Sequence, residues 1–173
     1  MNFDSALFQS IYGLARQSSA LDILGIFLAK YLGYFLMVGF LIALIFERNW
    51  KSRFYNFSLA ALSAILARGI FTELIRFLYF RPRPGLVLTI EPLIEATSAA
   101  GLPSGHAAVF FALGTAVFYL SRKWGIIFLI GATLISLARV YVGVHWPLDI
   151  LAGAIVGLAS AFLVKLFLPK PQT

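Results

Sequence analysis

From Asp22 to Phe46 the chain reads DILGIFLAKYLGYFLMVGFLIALIF, and past the opening aspartate its one charge is Lys30. At about 1.5 Å per residue a helix of that length crosses the roughly 30 Å hydrocarbon core of a bilayer. Apolar runs recur at about 55–79, 104–120, 125–142 and 148–168. Charged residues make up 12% of the 173 positions, about half the share of an ordinary soluble domain. The pattern excludes a soluble globular protein. It predicts an all-α, polytopic membrane bundle with five transmembrane helices, or six if the N-terminal segment also spans, in a single domain over 1–173.

Residues 1–20 predict an amphipathic N-terminal helix, with Phe3, Leu7, Ile11 and Leu14 at helical spacing over 2–17. The absence of cysteine removes disulfides and thiolate chemistry. The net charge of +7 sits mostly at span ends, where lipid head groups account for it, so membrane lipids rather than nucleic acid are the expected partners. Five spans place Arg48, Lys51, Arg53, Arg122, Lys123, Lys165 and Lys170 on one side, which the positive-inside rule makes cytoplasmic. The opposite, extracytoplasmic side receives the 80–104 connection and the 143–147 turn.

That side collects three polar islands: Arg76 to Pro84, Pro103 to His106, and Arg139 to Asp149. Arg76, Arg81, Arg83 and Arg139 break the positive-inside pattern, and their guanidinium forks match phosphate oxygens. In Pro103-Ser104-Gly105-His106 the serine can cap a helix whose first amides face an anion, and the glycine lets backbone come close. Four residues separate His145 from Asp149, so a carboxylate in the first turn of the last helix can fix the imidazole tautomer. Spacing does not assign roles to the two histidines. The carboxylate partner favours His145 as nucleophile and leaves His106 as proton donor. Glu73 and Arg81 are candidate supports, as is Lys30, which either snorkels to the interface or pairs with an acid on another helix. No metal site is expected, because the arginine excess points to an anion held by guanidiniums. An anion transporter would need arginines spread through the membrane, and Arg68 alone does not supply that path.

In order and spacing, Arg76 through Arg83-Pro84, Pro103-Ser104-Gly105-His106 and Arg139-x5-His145-x3-Asp149 resemble the three signatures of the type-2 phosphatidic acid phosphatase (PAP2) superfamily. This superfamily contains membrane lipid phosphatases, soluble acid phosphatases and vanadium haloperoxidases. The resemblance implies a fold of that type and hydrolysis through a phosphohistidine without metal or other cofactor. On the matching positions it implies His145 as nucleophile, Asp149 orienting it, His106 as general acid, and Arg76, Arg83, Ser104, Gly105 and Arg139 on the phosphate. Two positions depart from the family pattern: Arg76 stands where lysine is usual, and Ala138 where serine is usual. The short form and outward site resemble bacterial undecaprenyl pyrophosphate phosphatases of the cytoplasmic membrane, which recycle the lipid carrier of cell-wall synthesis. The implied substrate is therefore a polyprenyl diphosphate, with phosphatidylglycerophosphate or phosphatidate as the glycerolipid alternative.

Overall fold

The structure, a computed structural model, describes residues 3–96 and 98–170. Residues 1, 2, 97 and 171–173, which fall in the expected N-terminal helix, the polar connection and the C-terminal end, lie outside the described residues. The chain folds as α1 (Phe3–Tyr12), α2 (Ser19–Lys30), α3 (Leu32–Phe46), α4 (Trp50–Ala64), a π-helical segment (Ile65–Phe71), α5 (Thr72–Leu78), α6 (Pro84–Val87), α7 (Gly105–Leu120), α8 (Arg122–Tyr141) and α9 (Pro147–Phe167). Local chemistry sets several of the starts. The Asn49 side chain accepts from the amides of Lys51 and Ser52 to open α4, Ser104 caps α7, and Pro147 occupies the first turn of α9.

The bundle is built around α7, which packs against α4, α8 and α9. Small residues allow this. A Cβ on Gly153 of α9 would lie 2.5 Å from the Ser104 carbonyl oxygen, and one on Gly157 would lie 2.5 Å from that of Ala108. The Gly153-x3-Gly157 spacing thus brings two backbones together, as small residues do where helices meet in lipid. Tyr55, Leu59, Phe110, Leu113, Phe128 and Ile135 fill the core between α4, α7 and α8. Phe35, Ile45, Ile130, Leu151, Ile155 and Phe162 point outward instead, as side chains do when the surrounding solvent is hydrocarbon.

The span count differs from the expected five to six. Trp50–Leu78, Arg122–Tyr141 and Pro147–Phe167 are long and apolar enough to cross a bilayer, and α2 with α3 makes a fourth if the pair, bent by 45°, is one span. The expected 22–46 span is therefore broken at Tyr31. At 16 residues, α7 is apolar but short for a helix that crosses the hydrocarbon core alone. The expected 55–79 span begins earlier, at Trp50, and carries the π-helical segment in its middle. At ten residues, α1 is too short to cross. It buries Asp4 and Phe8; of the expected stripe, Phe3 and Leu7, with Leu14 just beyond the helix, stay exposed, while Ile11 packs against the Phe8 cluster.

Candidate active site

All three islands meet at one end of the bundle. The Ser104 amide donates to the Asp149 carbonyl at 2.9 Å, tying the start of α7 to the start of α9. An Arg76 guanidinium nitrogen donates to the Pro103 carbonyl at 3.1 Å, and one from Arg83 donates to the Val144 carbonyl at 3.0 Å. Arg83 is also held by the Ala100 carbonyl and the Ser98 hydroxyl, both at 3.2 Å. These cross-links fix the polar connection over the helix ends.

His145 lies 3.3 Å through Nδ1 from Oδ2 of Asp149, and both side chains are buried. Asp149 occupies the third position of α9, so the same oxygen accepts the Trp146 amide at 3.0 Å. Its other oxygen accepts from Arg81 at 3.0 Å. Arg81 also pairs with Asp4 and lies over the Trp146 ring. His106 remains open to solvent on the first turn of α7, with the guanidiniums of Arg139, Arg83 and Arg68 as its positive neighbours. The amides of Gly105 and His106 have no acceptor within their own helix. Nε of Arg76 and Nε of Arg139 are buried without a hydrogen-bond partner, a costly state that a bound anion would relieve.

The electrostatics keep the buried imidazole neutral. Burial, reinforced by Arg83, Arg139 and Arg76, pulls the His145 pKa well below its ordinary 6.5. Burial and the neighbouring Arg76 lower Arg83 to about 10, so its guanidinium stays charged at neutral pH. Among the described residues no group of three His, Cys, Asp or Glu is placed to hold a metal ion.

Glu73 sits between two arginines, paired with Arg68 and 3.4 Å from Arg76. Lys30 does not join them. It has no ion pair among the described residues and lines a cavity of about 240 Å³ with Arg68, Gly105 and His106. Two residues absent from the sequence-derived set belong to this end of the molecule. Asp4 clamps Arg81 and caps the Leu148 amide at 2.9 Å, and Arg68 lies across Gly105, where a Cβ would meet its Nε at 2.6 Å. Signals for both were present: Asp4 precedes Phe8 and Tyr12 at helical spacing, and an arginine in mid-span has to face protein or water.

Residues 57–172 match the PAP2 superfamily, and the chain belongs to it. Within that superfamily, its membrane-crossing helices and its relatives over most of its length make it a membrane lipid phosphatase. Among its relatives, the bacitracin transport permease protein BcrC of Bacillus licheniformis is 32% identical over 171 residues, covering 98% of this chain and 82% of that protein. The undecaprenyl-diphosphatase BcrC of Bacillus subtilis strain 168 is 32% identical over 165 residues, covering 94% and 82%. Among solved structures, LpxE of Aquifex aeolicus shares the fold with a TM-score of 0.80 at 23% identity, covering 96% of this chain and 97% of that one.

Proposed function

We propose that the protein hydrolyses undecaprenyl diphosphate to undecaprenyl phosphate and inorganic phosphate through a phosphohistidine, with no metal. The observation that carries the mechanism is a buried His145 backed by Asp149 beside two guanidinium nitrogens that lack an acceptor. The substrate is suggested by the undecaprenyl-diphosphatase of B. subtilis, whose match covers 94% of this chain.

With Nδ1 turned to Asp149, Nε2 attacks the terminal phosphorus. A P–N bond forms as the bond to the bridging oxygen breaks, while Arg76, Arg83, Arg139 and the α7 amides hold the other oxygens. His106 gives the leaving oxygen its proton, then takes one from the water that cleaves the P–N bond and frees phosphate. Asp149, Arg81, Asp4 and Glu73 position these groups.

The whole chain, 1–173, acts as one domain. It makes five crossings of a bacterial cytoplasmic membrane, with α7 as the short fifth, enclosed by protein on most sides and so not required to match the lipid thickness. The Arg48 and Arg122 turns face the cytoplasm and the site faces outward. The short α1 lies over the site, with its Phe3 and Leu7 side to the lipid surface.

Phosphate release from detergent-solubilised undecaprenyl diphosphate, in the presence of chelator, tests this reading. Activity is expected in wild type, with a loss of at least about 100-fold in His145→Ala and in His106→Ala. Retained activity in both variants removes the mechanism.

A further inference from the structure

Beyond the reacting phosphate, the cavity beside His106 holds a second set of positive charges that the mechanism does not use. Lys30 comes from the last turn of α2, just before the break at Tyr31, and Arg68 from the π-helical segment. An ammonium in a membrane-crossing helix is expensive unless it meets a counter-charge, and Lys30 meets no acid among the described residues. Arg68 has Glu73, yet its guanidinium is carried over Gly105 to the wall of the same cavity.

The cavity has a direction. Its polar lining is His106, Arg68, Lys30 and Tyr34, and it runs on to Met37 and Val109. Those two residues also line a second cavity of about 180 Å³, which continues between Leu41 and Phe57 with apolar side chains only. Proton donor and two cations therefore share one cavity, and an apolar one adjoins it.

We infer that Lys30 and Arg68 form the seat of the inner phosphate of a lipid diphosphate, the phosphate that stays on the lipid. This inference rests on the proposed function and adds what makes the site prefer diphosphates. When His145 takes the terminal phosphoryl group, the bridging-oxygen bond breaks and its electron pair leaves with the lipid phosphate. His106 supplies the proton, and Lys30 and Arg68 stabilise the charge that builds on the inner phosphate. A lipid monophosphate instead leaves as a neutral alcohol and offers these cations nothing.

The test uses the full-length protein in detergent with farnesyl diphosphate and farnesyl monophosphate, two probes with one tail. The readout is the ratio of kcat/KM for the diphosphate to that for the monophosphate, which cancels a general loss of active protein. Lys30→Met and Arg68→Gln should each lower that ratio by about tenfold or more, and Lys30→Arg should restore most of it. A ratio within about twofold of wild type in either Lys30→Met or Arg68→Gln overturns the inference while leaving the phosphatase reading intact. A wild-type protein that releases phosphate from neither probe overturns both.

Discussion

Asp149 Oδ2 stands 3.3 Å from His145 Nδ1, one turn into α9, with both side chains withdrawn from solvent. The carboxylate does not act on His145 alone. It also takes the Trp146 amide and the Arg81 guanidinium, so the orientation of the imidazole is set by the start of α9 and by the polar connection together. Asp149→Asn keeps the shape and removes the charge. It should lower kcat about 100-fold or more with a much smaller change in KM, measured by phosphate release. A wild-type kcat would show that the pair only holds the fold.

Asp4 extends this arrangement to the N-terminal helix. It is buried, pairs with Arg81 and accepts the Leu148 amide. Asp4→Asn leaves Arg81 with one carboxylate instead of two and should destabilise the protein by about 1–3 kcal/mol. A thermal melt in detergent reads this, and an unchanged midpoint would mean that α1 is not anchored through Arg81.

The pH behaviour of His145 follows from its burial among arginines. Its folded pKa lies well below 6.5, so the folded state binds fewer protons than the unfolded one in slightly acid solution. Its contribution to stability is then present above pH 6.5 and is lost as pH falls below that value towards the folded pKa. The chain has only two histidines, so ¹⁵N-histidine NMR of His106→Gln reports His145 alone. The ring should remain neutral at pH 6, and a titration midpoint at or above 6.5 would contradict the account.

The contact of α9 with α7 transmits packing directly to the site, because Gly153 lies against the Ser104 carbonyl. Gly153→Val forces the helices apart and should destabilise the protein by about 1–3 kcal/mol, with a loss of activity. Gly39→Ala, where a Cβ would meet nothing within 4 Å, is the control and should melt like wild type. Equal behaviour of the two variants would remove the role given to close packing here.

The helical membrane class could be read from the apolar runs, because bilayer thickness acts on every residue of a span and leaves a long, redundant signal. The pairing of His145 with Asp149 was legible for a local reason: four residues across Pro147 put the carboxylate in the first helical turn. The placement of Lys30 was not. It depends on the break at Tyr31, a position with neither glycine nor proline, and on the π-helical turn that carries Arg68, where the neighbouring Gly69 does not by itself foretell a change of helix type. The stripe on α1 was legible as apolar, and Phe3, Leu7 and Leu14 stay exposed as a membrane-surface helix requires; the buried side, where Phe8 stacks on Tyr12 and packs at a tilt on Trp146, left no such signal. In a membrane protein, apolarity marks the lipid side as readily as the core.

The central claim is that His145 carries the phosphoryl group. Rapid quenching into alkali during turnover of a lipid diphosphate labelled in its terminal phosphate, followed by peptide mapping, tests it most directly. The account predicts acid-labile label on the peptide containing His145, absent from His145→Ala. Label on His106, or turnover by wild type with no covalent label at any quench time, would contradict it.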